Sequence, residues 1–287
     1  MLGPWYLYRP AMAVRSVARR LSRRPREPMV EVRTAFGCRI RIDRSEAIGR
    51  ALALNEIYEI GVSEMLARAA SGGATTLVDV GANIGYMSLL MAAFAGPGAK
   101  VWAFEPHPGI HERLRENVQL NRYGGRIVPS PIAISDSPGG RPLYLPAGFQ
   151  SNHGLGSLER AGETHIDVVT DTLDNLFAGT GIDVLKIDVE GHELSVLRGA
   201  ERLLSSGRIG VIVFEAHGQL FDSVEAYLRS KGLSIWAIDH DLWRMRLTRD
   251  IRHGGSRFEA PNFLAMKEED EKRLRAPPFG WTCLKRP

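Results

Sequence analysis

Short apolar, β-branched runs alternate with stretches of helical periodicity from residue 77 onward, and this alternation constrains the fold more than any other feature. Five of the six intervals between predicted strand starts span 23 to 29 residues, which is the length of a strand plus a crossover helix. The pattern therefore predicts an α/β fold with a mostly parallel seven-stranded sheet and helices on both faces. The predicted strands are 76–80, 100–104, 126–134, 183–189, 210–215, 233–238 and 262–266.

The remaining interval is about twice as long as the others. Residues 136–181, between the third and fourth strands, contain apolar runs at 143–145 and 166–170 that we expect to pair as an inserted hairpin or loop. Insertions of this length are usually functional, so we predict a substrate-side cover over the strand ends. The predicted boundaries are a basic tail at 1–28, an N-terminal cap of a hairpin plus a helix at 29–75, the sheet domain at 76–270 and a C-terminal tail at 271–287.

The net charge of +4 is unevenly distributed along the chain. Residues 1–28, which we call the leader, carry seven arginines and one acidic residue, a net charge of +6, whereas the rest carries 30 basic and 32 acidic side chains. Because the body is slightly acidic, we expect no nucleic-acid partner. Val14, Val17 and Leu21 share a helical face among the arginines of the leader, a pattern that fits either peripheral contact with an anionic membrane or a solvated basic tail.

The two cysteines, Cys38 and Cys283, are far apart and form no CxxC pattern, which argues against a disulfide framework and against a cysteine-ligated metal. The leader contains no signal-peptide hydrophobic region, and no apolar run approaches the roughly 20 residues of a membrane span. We therefore expect a cytoplasmic protein whose leader is its candidate contact with the inner face of the membrane. The sequence gives no indication of oligomeric state.

A glycine-rich turn follows the first predicted strand. The stretch VDVGANIGYMSLL places Asp79 in the strand, Gly81, Asn83 and Gly85 in the turn, and a helix start near Ile84. Glycines permit a tight turn, and the free backbone N–H groups at a helix start are available to a ligand. On its own, a turn of this kind is weak evidence for nucleotide binding.

An acidic residue after the second strand strengthens this evidence. Glu105 lies 20 residues after Gly85, the offset expected for a carboxylate that binds ribose hydroxyls in βαβ units. The turn reads GxNxG instead of GxGxxG, and Asp79 would repel a pyrophosphate, so a dinucleotide fits poorly. S-adenosylmethionine carries an ammonium and a sulfonium and fits better. Two alternatives stay open: an NAD(P)-dependent Rossmann oxidoreductase, and a catalytically inactive cofactor-binding scaffold that is docked by its basic tail.

Charged residues also follow the fourth and fifth strands. Lys186 alternates with apolar residues in a strand that should be buried on both faces, and a charge there needs a partner or a function. Asp188 ends that strand, Glu190 and His192 begin the following turn, and Glu215 ends the fifth strand. Because the carboxyl ends of parallel strands meet at one sheet edge, these groups form a candidate acid/base cluster.

Five stretches occur in an order that resembles the FkbM-type methyltransferases: VDVGANIGYMSLL, FEPHP, DTLD, LKIDVEGHELSVLRGA and IVFEAH. The resemblance covers about residues 50–270 and implies a Rossmann-like class I methyltransferase fold with an antiparallel last strand. It also implies S-adenosyl-L-methionine as cofactor and O-methylation of a sugar, glycan or natural-product hydroxyl, with a small-molecule or glycan acceptor as partner.

The resemblance assigns roles residue by residue. It implies cofactor contacts for Asp79, Gly81, Asn83 and Gly85 at the methionine moiety, for Glu105 and Pro106 at the ribose, and for Ser135 and Asp136 near the adenine. Asp188 and Glu190 are expected to face the reacting methyl group, and the candidate catalytic residues are Asp188, Glu190, His192 and Glu215. One of these four is expected to act as the base that takes the hydroxyl proton. A divalent metal would suit this chemistry, but the residues form no recognisable ligand pattern, so no metal ligand is predicted.

Overall fold

The computed structural model describes residues 5–8, 10, 14, 17, 27–146, 156–159, 164–251, 261–274 and 280–285. The strands are β1 Met29–Arg33, β2 Arg39–Asp43, β3 Thr76–Val80, β4 Lys100–Phe104, β5 Ile127–Ser130, β6 Ala133–Ile134, β7 Gly139–Leu145, β8 Thr164–Asp171, β9 Ile182–Ile187, β10 Ile209–Glu215, β11 Ser234–His240, β12 Met245–Thr248 and β13 Asn262–Met266. The helices are α1 Trp5–Tyr8, α2 Ala47–Asn55, α3 Ile60–Ser71, α4 Tyr86–Phe94, α5 Pro108–Gln119, α6 Leu173–Leu176, α7 Glu193–Arg198, α8 Glu201–Ser205, α9 Gly218–Ser230 and α10 Glu271–Leu274.

The main sheet has the strand order β12-β11-β13-β10-β9-β3-β4-β5. Strands β5, β4, β3, β9 and β10 run parallel, and β13 is antiparallel to both of its neighbours, so the predicted sheet with an antiparallel last strand is confirmed. The chain leaves β3 for β4 on one side and later returns to β9 on the other side. The carboxyl ends of β3 and β9 are therefore the topological switch point, where ligands of such sheets bind.

Two details of the sheet differ from the predicted strands. An eighth strand, β12, pairs with the edge of β11. It is only four residues long and includes Arg246, so its apolar pattern was too short to detect. The predicted strand 126–134 is divided at Pro131, which cannot donate a ladder hydrogen bond: β5 joins the main sheet and β6 joins a separate small sheet.

Alternate side chains of the buried strands enter two separate cores. Leu77 of β3 packs with the layer that contains α3, α4 and α5, whereas Val78 and Val80 pack with the layer that contains α7, α8 and α9. Asp79 and Lys186 are paired in register on β3 and β9, so two charges lie side by side among the strand residues that face the first layer. The polar pair is thus built into the centre of the sheet.

The insertion between β5 and β9 forms a three-stranded sheet in the order β6-β8-β7. The predicted hairpin is confirmed as the antiparallel β7–β8 pair. The DTLD stretch after β8 joins it to the main layer: the Thr172 side chain accepts a hydrogen bond from the Asn175 N–H at 3.1 Å and caps α6. The Asp174 carboxylate accepts from the Arg202 N–H at 2.8 Å and the Leu203 N–H at 2.9 Å, which caps α8.

The N-terminal cap consists of the β1–β2 hairpin and two helices, where the periodicity predicted one. The helical stretch is interrupted because Glu56 and Glu59 both have positive φ, 58° and 40°. The residues predicted as a C-terminal tail are not a free tail in their described part: Trp281 and Cys283 are buried, and the Cys283 N–H donates to Glu64 of α3 at 2.9 Å.

Most of the leader, including its arginines and Leu21, lies outside the described residues. Among the residues that are described, no helix has both the length and the apolar character needed to cross a membrane.

Candidate active site

A cavity of about 230 Å³ lies at the carboxyl ends of β3, β4, β9 and β10. It is the site that the sheet topology predicts, at the switch point between β3 and β9. Eight of the residues proposed from the sequence line it: Gly81, Asn83, Glu105, Pro106, Asp188, Glu190, His192 and Glu215. Asp79, Gly85, Ser135 and Asp136 lie outside the lining.

The glycines of the turn after β3 are required by backbone geometry. Gly81 has φ of 78°, and a Cβ there would lie 1.9 Å from the carbonyl oxygen of Asp188. Only glycine therefore allows the loops after β3 and β9 to approach each other this closely. Gly85 has φ of 90° and immediately precedes α4, and a Cβ there would lie 2.5 Å from Leu114 Cδ1. Gly81 therefore shapes the cavity wall, whereas Gly85 allows α4 to pack on α5.

Two backbone hydrogen bonds fix the Glu105 carboxylate at the end of β4. Its Oε1 accepts from the His107 N–H and its Oε2 accepts from the Asn83 N–H, both at 3.0 Å. Burial raises the pKa of Glu105 to about 7, although these two hydrogen bonds and the Lys186 charge oppose the shift. Because a carboxylate has about four acceptor positions, each oxygen retains one for a ligand hydroxyl in the cavity.

Apolar residues of the insertion and of β6 form the cavity wall beyond Glu105. The wall consists of Ile132, Ala133, Ile134, Leu143 and Leu158. An apolar wall in the same cavity as a carboxylate matches the two halves of a nucleoside, a base and a ribose. Asp136 instead pairs with Arg141 at 2.5 Å, outside this wall.

Lys186 is the buried charge that the sequence left unexplained. Its Nζ lies 3.5 Å from Asp79 Oδ1 and 3.2 Å from Asp188 Oδ2, and it donates to the Gly81 carbonyl at 3.1 Å. Burial alone would lower the pKa of Lys186, but the charges of Asp188 and Asp79 outweigh burial and hold it above the ordinary value. Asp79 also accepts from Ser88 Oγ at 2.5 Å. Lys186 therefore ties β3, β9 and both loops together.

The turn after β9 is held in an uncommon conformation. Glu190 has φ of 51°, and the residue lines the cavity. Glu193, which is buried at the start of α7, accepts from the Val189 and Gly191 N–H groups, each at 3.2 Å. Glu193 thus holds the turn that carries Glu190, a role that no pattern in the sequence indicates.

Glu215 lies at the end of β10, on the cavity lining. Burial and the neighbouring charge of Asp188 raise the pKa of Glu215, although its partner His217 opposes the shift. Glu215 Oε1 lies 2.8 Å from His217 Nε2, and the His217 side chain is 57% exposed. The pair therefore connects the cavity with solvent.

Both ring nitrogens of His192 already have partners in the protein. Nδ1 lies 2.7 Å from Glu159 Oε1, and Nε2 lies 3.0 Å from Ser135 Oγ. Since a carboxylate only accepts, Nδ1 carries the proton and Nε2 accepts from the Ser135 hydroxyl. Burial lowers the pKa of His192, against the influence of Glu159. These contacts favour a positioning role for His192 over that of a base.

Glu159 belongs to residues 156–159, a segment of the insertion that we call the strap. Ser157 pairs with the Tyr144 backbone at 2.9 and 3.0 Å, and its Oγ donates to the Glu190 carbonyl at 2.9 Å. Leu158 lines the cavity. The strap therefore forms part of the cavity lining and is fastened to the turn after β9, and its role as a substrate-side cover stays a prediction.

Two cavity residues from the cap were also missed. Tyr58 and Glu59 lie between α2 and α3 and line the cavity. Burial, with the charge of Glu59, raises the pKa of Tyr58. No motif in the sequence marks these two residues as part of a site. The positive φ of Glu59, which sets the direction of the chain at this point, depends on the folded cap.

Among the described residues, no group of three or more His, Cys, Asp or Glu side chains is arranged to hold a metal ion.

The family described as the Methyltransferase FkbM domain matches residues 79–235, which is more than half of the chain. The chain belongs to the FkbM methyltransferase family. This assignment confirms the resemblance and identifies an S-adenosylmethionine-dependent methyltransferase. It therefore replaces the oxidoreductase and inactive-scaffold alternatives.

Two relatives agree with the family assignment. Hexuronic acid methyltransferase AglP of Haloferax volcanii is 31% identical over 195 residues, covering 67% of this chain and 75% of AglP. The 31-O-demethyl-FK506 methyltransferase FkbM of Streptomyces tacrolimicus is 34% identical over 194 residues, covering 55% of this chain and 72% of that protein. The crystal structure of Methyltransferase FkbM from Methylobacillus flagellatus KT matches with a TM-score of 0.47 at 18% identity, covering 68% of this chain and 44% of that one.

Proposed function

We propose that this methyltransferase transfers a methyl group to a hydroxyl oxygen of a sugar, glycan or natural product. The observation that carries the proposal is the placement of Asp188, Glu190 and Glu215 on the same cavity as the ribose-type carboxylate Glu105. The names of two relatives support it, since one describes a hexuronic acid methyltransferase and the other a 31-O-demethyl-FK506 methyltransferase. The acidic body of the chain supports an acceptor that is not a nucleic acid.

The cavity residues fit S-adenosylmethionine. The free acceptor positions of Glu105 suit two ribose hydroxyls, the wall of β6 and Leu143 suits an adenine ring, and the close turn at Gly81 and Asn83 suits the methionine moiety. When bound, S-adenosylmethionine supplies an electrophilic methyl group on a positively charged sulfur. Asp79, Gly85 and Ser135 support this site from behind the cavity wall, through Lys186, α4 and His192 respectively.

Glu215 is the best placed of the four candidate bases. Asp188 is committed to Lys186 at 3.2 Å, and His192 has no free ring nitrogen. Glu215 faces the cavity, its pKa is raised, and His217 beside it reaches solvent. In the proposed mechanism the Glu215 oxygen that does not accept from His217 takes the acceptor hydroxyl proton as the carbon–oxygen bond forms and the carbon–sulfur bond breaks, and Glu215 then releases that proton to solvent, while His217 holds the carboxylate in place.

The other acids position the acceptor. The ion pair with Lys186 fixes the Asp188 carboxylate, so it offers a hydrogen-bond acceptor that orients the hydroxyl. Glu190 lies on the turn that Glu193 and the strap hold. In-line attack requires this alignment of the reacting atoms, and positioning supplies a large part of the rate enhancement in such reactions.

Two substitutions test the assignment of the base. Glu215→Gln is expected to reduce kcat by about 10²-fold or more while cofactor affinity stays within twofold, because general-base catalysis contributes roughly 10²–10⁴-fold. Glu112→Gln, an exposed acid on α5 whose side chain is 58% exposed, is the matched control and should retain full activity. Transfer of a labelled methyl group to hydroxyl acceptors measures turnover, and calorimetry measures cofactor binding. Wild-type turnover in Glu215→Gln would refute its role as base, and label on nitrogen or sulfur acceptors alone would refute O-methylation.

A further inference from the structure

Exposed large apolar side chains of the described residues are concentrated in two places. Of eight such residues, four lie in the leader and two in the turn between β11 and β12, and only Val169 and Leu176 lie elsewhere. The leader residues are Leu7, Tyr8, Val14 and Val17, and the turn residues are Leu242 and Trp243. A concentration of exposed apolar side chains of this kind marks an interaction surface.

The leader and the turn are in contact with each other. The Tyr8 hydroxyl donates to the Trp243 carbonyl at 3.0 Å, and the Gly280 N–H donates to the same carbonyl at 3.0 Å. The turn itself is fixed, since Asp241 Oδ1 accepts from the Trp243 N–H at 2.7 Å and the Arg244 N–H at 2.9 Å. Leu242 and Trp243 are 47% and 51% exposed on this fixed turn. The hydrogen bonds of the turn therefore hold the Leu242 and Trp243 side chains in a solvent-exposed position.

The turn lies on the same edge of the sheet as the cavity. Strand β13 is antiparallel to both β10 and β11, so these two strands run parallel and their carboxyl ends share one edge. Phe263 pairs with Phe214 of β10 and with Ala237 of β11, and β11 continues three residues further, to His240. The turn thus projects beyond the edge, about 10 Å to the side of β10, which is two strand spacings.

The charge of the leader indicates what this surface contacts. The leader has a net charge of +6, while the rest of the chain is slightly acidic. Arginines next to exposed apolar and aromatic side chains are typical of segments that lie in the headgroup region of anionic membranes. A second protein would need no such excess of positive charge, and a nucleic acid would not need the apolar residues.

We propose that the leader and the turn with Leu242 and Trp243 form a docking surface for an anionic membrane. The arginines attract the surface, Leu242 and Trp243 enter the headgroup region, and the carboxyl edge of the sheet faces the lipid. Together with the proposed function, on which this last step rests, the orientation implies that the acceptor hydroxyl belongs to an amphiphile carried in that membrane. The docking itself does not depend on turnover.

Sedimentation of the full chain with vesicles tests the docking surface. We expect binding to phosphatidylglycerol–phosphatidylcholine vesicles and little binding to pure phosphatidylcholine. Binding should also be lost near 1 M salt, where the Debye length is about 3 Å. Leu242→Ser/Trp243→Ser is expected to reduce the partition coefficient about tenfold or more, since each exposed apolar side chain loses its transfer to the lipid. The matched control is Val169→Ser/Leu176→Ser, which alters the two exposed apolar residues away from the surface and should bind as wild type.

Fluorescence gives a second, local measurement. Brominated lipids are expected to quench the wild-type protein more than Trp243→Phe, because the variant lacks the tryptophan of the fixed turn and keeps only the contribution of Trp5 in the leader. Three results would each overturn the proposal. The Leu242/Trp243 double variant could bind vesicles as well as wild type, or the Val169/Leu176 control could lose as much binding as the double variant. The third is equal quenching of wild type and Trp243→Phe. The double variant should bind adenosine as the wild-type protein does. Vesicle binding and methyl transfer are measured separately. Absence of methyl transfer to hydroxyls would therefore refute the proposed function and leave the vesicle result unchanged.

Discussion

Lowering the pH from 8 to 6 is expected to weaken nucleoside binding through one carboxylate, Glu105. Burial raises the pKa of this group to about 7. An ionised carboxylate can accept hydrogen bonds from two ribose hydroxyls, whereas a protonated one has lost part of this capacity. With a pKa of about 7, the ionised fraction falls from about nine tenths at pH 8 to about one tenth at pH 6. Affinity should therefore fall by up to about tenfold, or about 1.4 kcal/mol.

Adenosine is the suitable probe, because its base and ribose do not titrate between pH 6 and pH 8. Isothermal titration calorimetry at about half-unit steps gives the affinity profile. Glu105→Gln keeps the shape of the side chain but removes its titration, so it should bind more weakly with a flat profile. A flat wild-type profile, or a variant that retains the wild-type slope, would refute the assignment of Glu105 to the ribose.

The same carboxylate has a linked effect on the stability of the ligand-free protein. Its pKa rises from the ordinary value of 4.5 to about 7 on folding, so the folded state holds the proton more tightly. This contribution to stability is fully present below pH 4.5 and is lost as the pH rises to 7. The difference between the two pKa values corresponds to about 3 kcal/mol as an upper bound. Urea unfolding of wild type and Glu105→Gln at pH 5 and pH 8 measures it.

Two further predictions concern residues that support the cavity. Lys186→Met should destabilise the protein by about 3–5 kcal/mol in urea unfolding, because Asp79 would remain buried without its cationic neighbour. Glu159→Ala should raise the KM for S-adenosylmethionine several-fold with kcat within about twofold, because it unfastens the strap from His192 without touching Glu215.

Each of these predictions has a control within the chain. Lys100→Met alters an exposed lysine at the start of β4 and should change stability by no more than about 0.5 kcal/mol. A loss below about 1 kcal/mol in Lys186→Met would contradict the role of the buried pair. Asp167→Asn alters an exposed acid of the inserted sheet and should leave KM unchanged, while Glu159→Asp should restore part of the wild-type value. A fall in kcat at constant KM for Glu159→Ala would show that the strap acts on the reaction and not on the cofactor.

Periodicity and spacing were sufficient to predict the sheet, because its strands are buried on both faces and each crossover helix has an ordinary length. The same signals were insufficient at β12, which is a short edge strand, and between α2 and α3, where Glu56 and Glu59 take positive φ. Both exceptions depend on tertiary packing. No local pattern of apolar residues encodes them.

At the cavity, the sequence predicts where each acidic residue lies but not which role it has. Asp188, Glu190 and Glu215 follow strand ends in the same way, and in the sequence any of them can be the base. Their partners differ: Lys186 holds Asp188, the strap holds the backbone of Glu190, and only Glu215 leads through a histidine to solvent. These partners come from other strands and from the insertion.

His192 shows most directly how a partner decides a role. A histidine beside a strand end is a reasonable candidate for a base, because its ordinary pKa lies near neutrality. The base needs a ring nitrogen that faces the substrate, however, and Glu159 and Ser135 occupy both nitrogens of His192. Glu159 lies 33 residues before His192 in the sequence, and the contacts of Ser157 with the Tyr144 backbone and the Glu190 carbonyl bring the strap to that position. The chemistry of the site therefore depends on the insertion as much as on the strand ends, and cofactor binding should vary with the strap as well as with Glu105.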